Sequence, residues 1–556
     1  MENVRFLLLA ALIFLGFLLW QAWQEDFAPT EISQPASPPI ATTSPGSVET
    51  DDRPQATVGG AAPPASAMTA PALTSGHRIV AETDVLRVEI DTRGGDLRSV
   101  QLLQYPQSLG EVAEPVELLA DGNGRFFVAQ SGILAAEGMA PDHLADFSID
   151  QASYRLVDGA DSLVVPLTWE SASGVKITKT YVLHRGRYDV DLTYQVENGT
   201  QATWQGRPYS QLQRSDAESK GGSFFMPQSY VGGAYYDGKY HKLDFGDLDE
   251  EALDTEITGG WAAMLQHYFV AAVIPPPEIV NRYYGKTLSG NRYLMGFVSS
   301  TESVEPGGTI SFGNRVYAGP KAQDALGDIA PGLELTVDYG IFTIIAQPLF
   351  LVLSWFHALV GNWGLSIIIL TFVIKLAFYK LSESQYRSMA KMRQFAPRIQ
   401  ALRERFGDDR QKLNEAMMEL YRKEKFNPLG GCLPLLVQMP VFISLYWVLS
   451  ESVELRQAPF LLWVDDLSNP DPYYVLPILF GVSMWAQQKL SAAQATMDPI
   501  QQRVMMFMPV GLTVFFALFP SGLVLYWLVN NVLSIIQQWY ITRKVDAETG
   551  KTQPAT

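Results

Sequence analysis

Lys375 stands inside an apolar run, Ser366 to Tyr379 (SIIILTFVIKLAFY), about twelve residues past Trp363, where a bilayer would surround it. A lysine at the centre of a membrane helix costs about 2.5–3.5 kcal/mol on insertion scales, so it is kept where it faces a bundle interior or a water-filled cavity. There it can hold a small anion. Thr371 lies four residues earlier and shares its helix face. Gln438, Ser444, Gln487, Thr513 and Asn530 add polar side chains within other apolar runs. Each either lines a polar groove or makes an interhelical hydrogen bond worth about 0.6 kcal/mol.

The elements that must position these residues divide the chain in two. Residues 24–340 hold 21 Lys+Arg and 42 Asp+Glu, a net of −21, so the remainder of a chain of net −17 sums to +4. An acidic region without a basic stripe argues against nucleic acid as its partner. The remainder is dominated by apolar runs, as in a polytopic membrane protein. Residues 1–23 read as a membrane anchor, uncleaved because Trp20 to Asp26 offers no small-x-small site, with a cleaved signal peptide as the alternative. Residues 24–75, rich in Pro, Ala, Ser and Thr, read as a disordered linker.

Further spans are expected at 362–380, 428–450, 474–490, 504–519 and 520–541, six in all with the anchor. The segment from Lys380 to Phe426 carries 12 Lys+Arg against 7 Asp+Glu, which marks it as cytoplasmic. Only one crossing then separates it from the exported region, so 341–361 is expected to be an interfacial amphipathic helix. The loop 451–473 is acidic and reads as periplasmic, whereas the loop 491–503 and the tail 542–556 read as cytoplasmic. Both termini are thus cytoplasmic. Span 504–519 is short, and local thinning of the bilayer is expected around it.

Strict alternation in Asp84 to Asp91, Val175 to His184 and Arg187 to Asn198 predicts strands, the last two forming a hairpin. The region 76–340 is expected to be a large periplasmic β-sandwich. Cys432 is the only cysteine, so no disulfide staples that domain. Its histidines, His77, His143, His184, His241 and His267, are scattered without metal-ligand spacing, and no nucleophile elbow or phosphate loop appears. They read as structural residues, though a sugar- or protein-binding cleft stays open.

Between Lys380 and Phe426, Tyr386, Met389, Met392, Phe395, Ile399, Leu402 and Phe406 recur at helical spacing, as do Leu413, Met417 and Leu420. Residues 381–427 therefore read as a basic helical hairpin turning at Gly407 to Asp409, with a kink expected at Pro397. Its methionines suit either a self-packed seam or a surface for varied apolar partners. Its basic face could meet anionic lipid or ribosomal RNA.

Four motifs, Asn427 to Phe442 (NPLGGCLPLLVQMPVF), Val453 to Phe460 (VELRQAPF), Asp471 to Pro477 (DPYYVLP) and Phe519 to Tyr526 (FPSGLVLY), resemble those of the YidC/Oxa/Alb family of membrane protein insertases, Gram-negative type. The resemblance covers essentially the whole chain. It implies a non-enzymatic insertase and chaperone of the bacterial inner membrane that needs no ATP, cofactor or metal. Implied partners are nascent inner-membrane proteins, the Sec translocon, membrane lipid, and ribosome or targeting factors at the hairpin. Implied too is a five-span core enclosing a hydrophilic groove, closed toward the periplasm, with a basic residue in it. Lys375 occupies that position, where Gram-negative relatives usually carry Arg. Thr371 and Tyr526 match groove and substrate-contact positions, and Trp527 stands where a tyrosine is common. The alternative function is a small-anion transporter or channel. A carbohydrate-acting exported domain is a further rival.

Overall fold

The computed structural model describes residues 54, 73, 75–110, 113–122, 125–215, 230–406, 409–423, 433–490 and 499–550. The anchor 1–23, nearly all of the linker 24–75 and Cys432 lie outside them.

Alternation builds the first half as expected. Val175, Ile177, Tyr181 and Leu183 of the strand Val175–His184 are all at most 1 % exposed, and the strand pairs antiparallel with Asp189–Asn198 from Val175↔Asn198 to Leu183↔Val190. The strand expected from Asp84 starts at Leu86 instead. Thr83 explains the delay, because its Oγ1 accepts from the backbone N–H of Val85 and of Leu86 and holds a turn there.

Counted among the described residues, eleven strands form one sheet and eight form a second. Their pairing is antiparallel except between Arg78–Glu82 and Ser153–Arg155. The facing sides of the two sheets share one core, with Val88, Ile90 and Leu97 from the first and Val165, Ile177 and Val190 from the second. This is the expected β-sandwich. One short helix, α1 (Phe245–Glu250), interrupts it, and α2 (Gln323–Ile329) follows its last strand.

The strands Trp261–Gln266 and Phe269–Ile274 are apolar almost throughout, because both of their faces are covered. Ala262, Met264, Ala271 and Val273 point into the sandwich. Trp261, Ala263, Leu265, Val270 and Ala272 point the other way, into a second core built from α2, Leu333, Tyr339 and the helices that follow.

Those helices are α3 (Thr343–Val360), α4 (Trp363–Ala377), α5 (Tyr379–Phe406), α6 (Arg410–Lys423), α7 (Leu433–Glu451), α8 (Val475–Leu490), α9 (Pro499–Phe516) and α10 (Ser521–Gly550). Among the described residues, only the helical stretch Gly340–Val360 is by itself long and apolar enough to cross a membrane. That is the segment expected to lie in the interface. The stretch Trp363–Ala377 passes only jointly with Tyr379–Ser388, across a 65° bend. Neither Gly nor Pro marks that bend, whereas Pro397, where a kink was expected, lies inside the uninterrupted helix α5. The two helices expected of the hairpin are α5 and α6, while Gly407 and Asp408 of the expected turn lie outside the described residues. Tyr386 does not join its seam, since it packs on Ile541 and Val545 of α10. The side chains of Met389, Met392 and Phe395 lie outside the described residues.

The sandwich docks on the C-terminal end of α7 and the loop beyond it. His267 Nε2 meets the Ser450 carbonyl at 3.1 Å, and the Tyr339 hydroxyl lies 3.2 Å from Ser452 Oγ. The Gln323 backbone N–H donates to Glu454 Oε1 at 3.2 Å, while Arg456 Nη2 donates to the Pro106 carbonyl at 2.6 Å. Lys321 faces Glu451 at 4.0 Å in the same buried layer.

Candidate functional site

The loop between α7 and α8 fixes the starting ends of three helices. Gly361 ends α3 at φ 66°, a left-handed conformation glycine adopts readily. Asn362 then caps α4, its Oδ1 accepting from the Leu365 N–H at 2.9 Å, while its Nδ2 donates to the Phe460 carbonyl at 2.9 Å. A Cβ on Gly364 would come within 2.1 Å of the Phe460 ring, so glycine is what lets that ring seat on α4. Asp471 accepts from the Leu476 N–H at the head of α8. The Ser521 and Gly522 N–H groups at the head of α10 donate to Asn469 and Leu467.

With these heads level, Lys375 and Ser534 come to similar depth, about 18 and 20 Å down their helices at 1.5 Å per residue. Lys375 is 8 % exposed, and its Nζ donates to Ser534 Oγ on α10 at 2.7 Å. The Ser534 hydroxyl donates onward to the Asn530 carbonyl at 2.7 Å. Tyr386, just past the bend, lies near Ser534. Among the described residues no carboxylate pairs with Lys375. A sequence-based placement in mid-span needs correcting, since Lys375 sits in the last turn of α4, beside the 65° bend. Such a position costs less than a helix centre.

Thr371 is buried one turn above on the same face, as its spacing predicts, with its hydroxyl donating to its own helix at Ile367. Ser444 and Thr513 likewise donate back to Pro440 and Pro509 on their own helices, so neither makes the interhelical bond that was one reading of it. Thr513 packs instead on Gly481 of α8, where a Cβ would meet its Oγ1 at 1.9 Å. Gln438 on α7, Gln487 on α8 and Asn530 on α10 are half-buried.

Tyr526 and Trp527 belong to a different neighbourhood, about 12 Å up α10 from Ser534. Trp527 packs against Phe442 at 4.4 Å, Phe516 at 5.6 Å and Phe480 at 6.0 Å between ring centroids. Its Nε1 is buried without a partner among the described residues. The site therefore has two levels, an aromatic cluster near the helix heads and a hydroxyl-bound cation below it.

Two side chains escaped the sequence reading: Ser534, and Asn531, whose Nδ2 donates to Ser483 on α8 at 2.9 Å. The signal was the spacing of four from Tyr526 through Asn530 and Ser534 to Gln538. No group of three His, Cys, Asp or Glu converges on a metal position among the described residues.

Residues 78–352 match the family model described as "YidC periplasmic domain", and residues 355–548 match "60Kd inner membrane protein". A membrane protein insertase YidC of Nitrosococcus oceani is 52% identical over 99% of this chain and 100% of its own. That of Methylococcus capsulatus is 50% identical over the same shares. Among solved structures, an active YidC insertase with its first transmembrane domain resolved superposes with a TM-score of 0.40 at 16% identity, over 84% of this chain and 93% of that one.

Proposed function

Because the chain belongs to the YidC family of membrane protein insertases, we propose that it inserts its substrates by drawing an acidic exported tail to Lys375. The observation that carries this reading is a buried ammonium held only by a hydroxyl, with no carboxylate beside it among the described residues. A charge without a counter-ion in a low-dielectric setting attracts an incoming carboxylate strongly. The tail is held transiently, the substrate's apolar helix slides into lipid along α7 and α9, and hydrophobic partitioning completes release. No covalent step is required, and family membership sets the anion-transporter alternative aside.

In the topology proposed here the anchor and five further segments cross the bilayer, with the β-sandwich in the periplasm and both termini in the cytoplasm. α3 lies along the interface, since a single crossing suffices between the acidic domain and the basic hairpin. The shorter apolar stretch Arg503–Phe516, in the span expected to be short, supports a bilayer thinned around it. Cooperation with the Sec translocon, a chaperone role in folding, and a ribosome- or targeting-factor contact at α5 and α6 complete the proposal.

The test is growth of a strain depleted of its own insertase. Lys375→Arg is expected to restore growth and Lys375→Ala to lose most insertion of acidic-tailed substrates. Full activity of Lys375→Ala removes the charge from the mechanism.

A further inference from the structure

Lys375 lies in the last turn of α4, close to where a free lysine would bend its stem toward water at the membrane surface. It does not do so. Nζ turns instead onto Ser534 of α10 at 2.7 Å, and the Ser534 side chain is 5 % exposed. Its hydrogen goes to the Asn530 carbonyl, while a lone pair takes the Lys375 ammonium. Two helices thus meet at one oxygen: α4 through the lysine, α10 through the serine.

We infer that Ser534 is the positioning group that keeps the Lys375 ammonium inside the bundle and aimed at the substrate path. The inference rests on the charged-groove reading proposed above and deepens it. A hydroxyl suits the task better than a carboxylate. It holds the ammonium by one hydrogen bond to an uncharged acceptor, which an incoming carboxylate can outcompete because it adds a full opposite charge. An aspartate at the same place would neutralise the lysine and close the site to acidic tails.

The test uses the full chain in proteoliposomes, with wild type, Ser534→Ala, Ser534→Thr and Lys375→Ala. One readout is the rate at which a membrane-impermeant, amine-reactive reagent modifies Lys375, followed on its own peptide by mass spectrometry. The second is the insertion ratio of a single-span substrate with an acidic tail to the same substrate with that tail amidated. Ser534→Ala is expected to raise Lys375 labelling several-fold and lower the ratio several-fold. Ser534→Thr should return both to near wild type. A general packing defect would not be rescued by restoring a hydroxyl alone. Unchanged labelling in Ser534→Ala overturns the positioning role whatever the insertion ratio. A ratio left untouched by Lys375→Ala overturns instead the charged-groove reading beneath it.

Discussion

Buried lysines occur in both halves of the chain, and their surroundings set different chemistry. Lys179 is fully enclosed in the sandwich core, where Nζ donates to the Gly94 and Ser131 carbonyls and the rings of Phe147, Tyr181 and Tyr194 stand 5.5–5.7 Å away. Burial pulls its pKa down to about 7, with Asp96 opposing the shift. An unfolded lysine titrates near 10.4, so between about pH 7 and 10.4 the unfolded chain holds a proton that the folded chain lacks. Stability from this group therefore rises with pH across that window, by up to about 1.4 kcal/mol per unit, and its full penalty is present below pH 7. Lys179→Met removes the penalty but leaves two carbonyls without a donor. Its thermal stability is expected to fall further behind wild type at pH 9 than at pH 6. A gap independent of pH would mean that Lys179 does not titrate there. Lys375 and Thr371 were legible in the sequence because a charge in an apolar run is costly. Ser534 was not, because a serine there costs little and its partner lies 159 residues away.

At the scale of elements, close approach is written in glycine. Gly481→Ala drives a methyl into Thr513 Oγ1, which is tied to Pro509 and cannot turn away without losing that bond. Overpacking of this kind costs about 1–3 kcal/mol. The variant is expected to lower the unfolding temperature, and Thr513→Ala in the same chain to restore much of it, since the next atom stands 3.3 Å away. Simple additivity of the two changes would rule out that contact. α3 has its own test. A cysteine at the exposed Val360, with Cys432 replaced, is expected to react with a reagent confined to the periplasmic side, and labelling only from the cytoplasm would make α3 a span. The strand Val175–His184 was legible to the residue because one of its faces is buried and the other is not. Phe269–Ile274 carries no alternation to read, being covered on both sides. The bend after α4 was equally silent, since packing of α5 on α10 through Tyr386 accompanies it rather than any helix breaker.

For the molecule as a whole, the sandwich and the helices share a buried junction containing ionisable groups. Burial pushes the Glu454 carboxyl up to about 7, and its Oε2 has no partner among the described residues. A released carboxylate titrates near 4.3. The docked state accordingly holds a proton that the released state sheds between those values, and this group's contribution is lost as pH rises toward 7. Glu454→Gln keeps an acceptor for the Gln323 N–H without the charge. It is expected to raise the unfolding temperature at pH 8 more than at pH 5, and an equal effect at both would show Glu454 charged throughout. None of this junction was legible in the sequence, because its bonds join residues as far apart as Pro106 and Arg456. Among the described residues the sandwich is thus attached twice, covalently through α3 and by docking at the end of α7. A body on one tether only swings, whereas a body clamped at two points transmits torque. A load on the sandwich is delivered to α7, a wall of the bundle distinct from the helix that carries Lys375.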